Sequence, residues 1–258
     1  MENRRKYFFF DIDGTLVPKS GGAEIPDNTR KAIDELRRRG HFCAIATGRG
    51  QFLARGICEA LGFENMVSDG GSGITLGGEV IEIRPLPKDL CVDLARQCDS
   101  LGYTWAVSPE NSDVRLTRVQ SFADRVGTYY MKTVVAPDLD IESFPEIIKM
   151  FVACDPGEEK KIPALSQLTW IRYQKEYIFV EPLDKSVGIR RVMDYYHADY
   201  RDAVVFGDGL NDITMFIPDW TCIAMGNAVE ELKERADFVT KDSGDDGIGY
   251  ALRHFGWI

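Results

Sequence analysis

The chain has 258 residues, enough for one large or two modest domains with a proper buried core. Its apolar and charged fractions are ordinary for a globular protein and do not suggest a disordered chain. A net charge of −10, with histidines neutral, argues against nucleic acid as a partner, because phosphate backbones recruit Lys and Arg. A small anion held by a local positive site stays open.

The first elements form a regular series. Lys6 to Phe10 is a short apolar run ending at Asp11, as in the buried strands of parallel sheets. Pro26 to Arg39 reads as a helix, with Asp27 and Thr29 as capping candidates, Ile33 and Leu36 on one face, and Gly40 as its stop. Phe42 to Ala46 is a second buried strand, ending at Thr47-Gly48-Arg49. Gln51 to Leu61 is helical and Met66 to Ser68 a third strand. Strand and helix in alternation predict a doubly wound α/β domain with a mostly parallel sheet.

From about Arg84 to Glu181 the pattern changes. Strands such as Tyr103–Val107, Thr169–Tyr173 and Tyr177–Val180 are more polar and alternate, which predicts a sheet with one open face. Helices are expected near Lys88–Leu101, Val119–Tyr130 and Lys160–Leu168. Asp155 to Lys161 reads as a solvated loop leading into the last of these. Pro85 and Pro87 mark one boundary and Pro182 the other. The expected organisation is a core of residues 1–83 and 184–258 with an inserted α/β domain at 84–183. In the second core half, helices are predicted at Lys185–Tyr196, Asp212–Phe216 and Val229–Arg235. Strands are predicted at Ala203–Phe206, Cys222–Met225 and Phe238–Thr240.

The six cysteines (Cys43, Cys58, Cys91, Cys98, Cys154 and Cys222) are scattered without a C-x-x-C pair, so neither a zinc site nor a redox dithiol is indicated. Reduced thiols in a cytoplasmic protein are the expectation. No run approaches the roughly 18 apolar residues of a membrane span, and residues 1–10 do not read as a targeting signal.

The residues that bear chemistry fall at strand ends. Asp11 and Asp13 lie two apart after a buried strand, a spacing that puts side chains on one side. Two carboxylates there repel unless a cation sits between them, and Mg²⁺ suits oxygen ligands and phosphate. A lone D-x-D also occurs in metal-dependent transferases and in ordinary turns. Asp208 ends another apolar strand between glycines, followed by Asn211 and Asp212. It offers a third acidic ligand, or merely a turn capping the next helix. Thr47-Gly48 offers a hydroxyl and backbone N–H groups to phosphate. Lys185 opens a helix with no acidic partner at helical spacing. It offers phosphate a positive charge, or is a solvated surface lysine. Each of these elements falls at a strand end or a helix start on one rim of one sheet.

Phe10-Asp11-Ile12-Asp13-Gly14-Thr15-Leu16 resembles the first motif of the haloacid dehalogenase superfamily, Thr47-Gly48-Arg49 its second, Lys185 its third, and Gly207-Asp208-Gly209-Leu210-Asn211-Asp212 its fourth. Ala224-Met225-Gly226-Asn227-Ala228, Ala236-Asp237-Phe238-Val239-Thr240 and Asp246-Gly247-Ile248 resemble the Cof-type sugar-phosphatase branch, whose large cap lies where the inserted segment stands. The resemblance implies a Mg²⁺-dependent phosphatase acting on a small phosphorylated metabolite. Asp11 is then the nucleophile and a metal ligand. Asp13 is the general acid/base and lends the metal its backbone carbonyl. Asp208 is the third protein ligand, Thr47, Gly48, Lys185 and Asn211 hold phosphate, and Asp212 orients the metal shell. Three positions depart from the branch: Ser186 stands where glycine usually follows the lysine, Glu181 stands closer to that lysine than usual, and Asp69-Gly70-Gly71 replaces Asn-Gly-Ala. A phosphomutase of the same superfamily and a non-catalytic phosphometabolite-binding protein are the alternatives. The sequence is silent on oligomeric state.

Overall fold

The computed structural model describes residues 4–19, 24–128 and 130–258. The chain divides into two compact units, one running up to Glu82 and resuming at Asp184, the other spanning Ile83–Leu183. Among the described residues no helix is long and apolar enough to cross a membrane.

Strand β1 (Tyr7–Phe10) is buried at every position. Its period of two sends Phe8 and Phe10 into one apolar cluster and Tyr7 and Phe9 into another, so both faces of the sheet are covered. Helix α1 (Asp27–Arg38) lays Ala32, Ile33 and Leu36 on the Phe8 side. Neither Asp27 nor Thr29 caps it. Pro26 holds the cap position without a side-chain bond, and Asp27 sits in the first turn, where its charge favours the helix dipole. Strand β2 (Phe42–Ala46), helix α2 (Gln51–Ala60) and strand β3 (Met66–Ser68) follow as the pattern predicts. Two further strands, β4 (Gly73–Leu76) and β5 (Glu79–Ile83), flank a Gly77-Gly78 turn.

The inserted unit opens with helix α3 (Lys88–Leu101) and strands β6 (Thr104–Ser108) and β7 (Val114–Thr117). Helix α4 (Gln120–Val126) then leads to β8 (Lys132–Val135), parallel to β7. Strands β9 (Lys149–Ala153), β10 (Trp170–Gln174) and β11 (Tyr177–Val180) complete a sheet of order β10-β11-β9-β6-β7-β8. The expected open face is absent at β9 and β11, which are buried throughout. Arg115 explains part of this. Its buried guanidinium lies 5.1–5.6 Å from the ring centres of Phe122, Phe151 and Tyr177 and donates to Thr133 Oγ1 and the Gly127 carbonyl. Trp105 is also packed inside, donating to Asp99, whose carboxylate pairs with Arg118. The Tyr130 ring lies against Phe179, and Tyr129 falls outside the described residues. The helix expected at 160–168 is two 3₁₀ turns, Glu158–Lys161 and Pro163–Gln167. Pro163 lacks the N–H that a continuous helix requires.

The second half of the core begins with helix α5 (Lys185–Tyr195), capped by Asp184, whose carboxylate accepts from Ser186 N at 3.0 Å and Ser186 Oγ at 2.6 Å. Strand β12 (Ala203–Gly207) runs into a 3₁₀ turn, Leu210–Met215. Strand β13 (Thr221–Ala224), helix α6 (Glu230–Lys233), strand β14 (Phe238–Val239) and helix α7 (Gly247–His254) follow. The core sheet has the order β14-β13-β12-β1-β2-β3-β4-β5, parallel from β14 to β3. Helices α1, α2 and α7 cover one face, and α5 and α6 the other. Winding reverses between β1 and β12, the place in such sheets where the strand ends leave a ligand crevice. All six cysteines are buried and free.

Glycine fixes the approach of α5 to the sheet. Gly71 has φ +102°, and a Cβ there would collide with the Asp184 carbonyl. A Cβ on Gly188 would collide with Val67 and lie 2.9 Å from the Gly71 carbonyl. This accounts for glycine at 71, where the resembling branch carries alanine, and it seats the first turn of α5 under the rim. Gly71→Ala is expected to lower stability by about 2–3 kcal/mol, from the positive φ and the backbone collision together. Gly102→Ala, at a positive φ facing open space, is expected to cost only about 1 kcal/mol. Denaturant midpoints of the two variants measure the difference; equal losses would remove the close approach as the cause.

Candidate active site

β1 and β12 end side by side, and Asp11 N donates to the Phe206 carbonyl at 3.0 Å, locking the two strand ends together. Asp11, Asp208 and Asp212 are thereby brought onto one rim, all buried, each offering an oxygen within 4.8 Å of the others. Lys185, also buried, enters from the first turn of α5. Its Nζ lies 2.6 Å from Asp11 Oδ1 and 2.5 Å from Asp212 Oδ1. The start of α5 is held in place by Lys185 N donating to Thr214 Oγ1 at 3.2 Å.

Asp212 has a second task. Its Oδ2 accepts from the backbone N–H groups of Asp208 and Gly209, both at 2.9 Å, which shapes the loop carrying Asp208. The side chain fits there because Gly207 has no Cβ to meet it. Asp208 Oδ1 accepts from Thr15 Oγ1 at 3.2 Å, and Lys19 Nζ stands 2.5 Å from Asp208 Oδ2. Thr47 is buried at the end of β2, with its N–H on the Val67 carbonyl at 2.9 Å and its Oγ1 accepting from Arg49 N at 3.1 Å. Gly48 follows it on the same turn, and Asn211 lies on the turn after β12, its carbonyl oxygen against Gly209.

The carboxylate of Asp13 does not join the acidic cluster. The two-residue spacing predicts that Asp11 and Asp13 share one side, but β1 ends at Phe10 and the chain turns, with a bridge between Asp13 and Val17. Strand alternation stops where the strand stops. The Asp13 side chain is 59% exposed and is gripped by Arg49, whose Nε and Nη2 donate to its two oxygens at 2.9 and 2.6 Å. Asp212 takes the place expected for Asp13 among the clustered side chains. Glu181, close to Lys185 in sequence, pairs at 2.6 Å with Lys149 inside the other unit. Arg49, Thr15 and Lys19 received no role from their residue types alone. Its position directly after Thr47-Gly48 is the signal that could have found Arg49.

Electrostatics in this cluster are strained by burial. Loss of water, then the neighbouring Asp212 charge, push the Asp11 carboxyl up to about 8, against the pull of Lys185. Burial likewise raises Asp208, opposed by Lys19. Burial works against the Lys185 ammonium, but Asp11 and Asp212 outweigh it and hold its pKa above the usual range. Two of the three buried carboxylates thus share the buried Lys185 ammonium, and Asp208 is paired with the more exposed Lys19. An all-oxygen donor set with excess negative charge at the strand ends fits a hard divalent ion such as Mg²⁺.

The fold and this rim define a doubly wound α/β domain with a buried carboxylate–lysine cluster at its switch point. Residues 8–252 match the haloacid dehalogenase-like hydrolase family, and the chain belongs to that family. Within it, the kinship is with Cof-type, subclass IIB phosphatases. The chain is 35% identical over 256 residues to the putative phosphatase YkrA of Bacillus subtilis, covering 98% of each. A hypothetical protein from Geobacillus kaustophilus superposes with a TM-score of 0.86 at 30% identity, covering 98% of this chain and 100% of that one. The subclass IIB sugar phosphatase BT4131 superposes with a TM-score of 0.77 at 27% identity, with the same coverage. The enzyme class that follows is phosphatase.

The raised Asp11 pKa has a measurable consequence in metal-free protein. A carboxyl at about 8 when folded and near 3.8 when unfolded binds its proton more tightly in the native state. Its contribution to stability is therefore present at low pH and lost as pH rises from about 4 to about 8. In EDTA, the stability of the native chain relative to Asp11→Asn is expected to fall across that window by on the order of 3–5 kcal/mol. Parallel pH curves for the two proteins would return Asp11 to the ordinary carboxylate range.

Proposed function

We propose that this chain is a Mg²⁺-dependent phosphatase that hydrolyses small phosphate monoesters, of sugars or related metabolites, through an aspartyl-phosphate on Asp11. The observation that carries the proposal is the buried Asp11 carboxylate held by Lys185 at the switch point, with Asp208 and Asp212 beside it. Asp11, Asp208 and the backbone carbonyl of Asp13 would hold the metal, with Asp212 orienting its shell. The ion would supply positive charge between carboxylate and phosphate and draw off charge in the transition state.

The side chains then divide the chemistry. Asp11 is fixed by Lys185 through one of its oxygens, and the other would be the attacking atom. Thr47 Oγ1, the Gly48 N–H, Lys185 and Asn211 would receive the phosphate oxygens, placing phosphorus in line with Asp11. An Asp11 oxygen forms a bond to phosphorus as the bond to the leaving alcohol oxygen breaks. Asp13, protonated, gives its proton to that alkoxide. In the second half, Asp13 takes a proton from water, the water oxygen bonds to phosphorus, and the Asp11–phosphorus bond breaks to release phosphate. Arg49 sets the direction of the Asp13 carboxylate by donating to both of its oxygens. We assign selection of the alcohol to the inserted unit, by its correspondence to the cap of the resembling branch. The sugar-phosphatase name of BT4131 supports the substrate class.

Two outcomes test this reading. EDTA is expected to abolish phosphate release from a panel of sugar phosphates, and Mg²⁺ to restore it; undiminished turnover in metal-free buffer would sink the metal role. Asp11→Asn keeps the shape and removes the attacking charge, so kcat is expected to fall at least about a thousandfold. Mass spectrometry after reaction with beryllium fluoride or substrate should find the adduct on Asp11. An adduct on another residue would overturn the covalent route.

A further inference from the structure

Asn227 has no part in the roles assigned above, yet it stands on the same rim, three residues beyond the end of β13. Its Nδ2 donates to the Gly14 carbonyl at 2.8 Å and lies 3.5 Å from Asp208 Oδ2. Its Oδ1 accepts from Ser243 N at 2.8 Å. The orientation of the amide is fixed by this set: the nitrogen meets two oxygens and the oxygen meets an N–H. One short side chain therefore ties together the turn after Asp11, the Asp208 carboxylate and the loop that precedes α7.

The Gly14 link matters because that turn and Asp208 touch directly. Gly14 has φ +90°, and a Cβ there would overlap the Asp208 carboxylate. Any drift of the turn is thus a drift of Asp208, and the reverse. The backbone under the amide is held as well. Gly226 N donates to the Lys241 carbonyl at 2.9 Å, and a Cβ at Gly226 would collide with Asp242. Asn227 works from a fixed base rather than from a free loop.

We propose that Asn227 is a positioning residue for the divalent-metal site, setting the distance between the Asp11–Gly14 turn and the Asp208 carboxylate. Asparagine suits the task because it places a donor and an acceptor on one short stem. Alanine would leave the Gly14 carbonyl and Ser243 N–H without this partner and Asp208 Oδ2 without an amide neighbour. A small ion with strict octahedral demands is sensitive to displaced oxygens, and groups that orient ligands typically change affinity by about 10–100-fold when removed. The inference rests on reading Asp208 as a metal ligand.

The test is Mn²⁺ binding to the full chain, measured by calorimetry without substrate, alongside thermal unfolding in EDTA. Asn227→Ala is expected to raise the Mn²⁺ Kd about 10–100-fold at a temperature where the variant is fully folded. Its KM for a sugar phosphate at saturating Mg²⁺ should stay within about threefold. Asn227→Ser, too short to span Gly14 and Ser243 together, should behave alike and serves if the alanine variant does not fold. A lowered Tm with a Kd within about twofold of the parent overturns the proposal and leaves the phosphatase reading intact. Failure of the parent to bind Mn²⁺ or Mg²⁺ overturns both.

Discussion

The ammonium of Lys185, set between Asp11 and Asp212, is the contact on which the rest of this core depends. Three carboxylates buried on one rim would repel one another and lose their hydration without recompense. Lys185 is equally buried and has no water to fall back on, so each partner needs the other. Asp212, oriented by Lys185 through one oxygen, uses its second to hold the loop of Asp208. Fixing one lysine therefore fixes three acids, and the glycine contacts at 71 and 188 are what bring that lysine close enough.

The same contact tunes reactivity. A carboxylate in water is a weak nucleophile and a weak base, and a buried one prefers to stay protonated. Lys185 favours the charged form without coordinating it away, since it engages one oxygen of Asp11. Asp13 is treated in the opposite way. It is exposed, held by a guanidinium that accepts no proton, and set on a turn rather than a strand. Two aspartates two residues apart thus have unlike surroundings, which is the condition for unlike roles in one catalytic cycle.

Much of this was legible in the sequence because the signals are local. Buried strands are unbroken apolar runs, and the residues that end them are the ones that reach the crevice. Asp11, Thr47 and Asp208 could be placed from a few neighbours each. Lys185 could be named but not explained, because its partners are 174 and 27 residues away and helical spacing shows neither. The direction of Asp13 was missed because it hangs on where β1 stops, a matter of hydrogen bonding and not of alternation. In the inserted unit the aromatic packing around Arg115 made a charged residue a core residue, so polarity misread the faces of the sheet. The helix expected at 160–168 breaks into 3₁₀ turns around Pro163, a single residue that outweighs the helical pattern on either side of it.

The burial of all six cysteines bears on where such an enzyme can work. Loss of water pushes Cys43, Cys58, Cys91, Cys98 and Cys222 up to about 12. At neutral pH roughly one thiol in 10⁵ at such a position is thiolate, the nucleophile that attacks peroxides and disulfides. Phosphoryl transfer moves no electrons, and the groups read here as performing it include no sulfur. Thiols so rarely ionised react slowly with oxidants, so a burst of peroxide that modifies exposed, low-pKa cysteines elsewhere would leave these buried ones largely reduced.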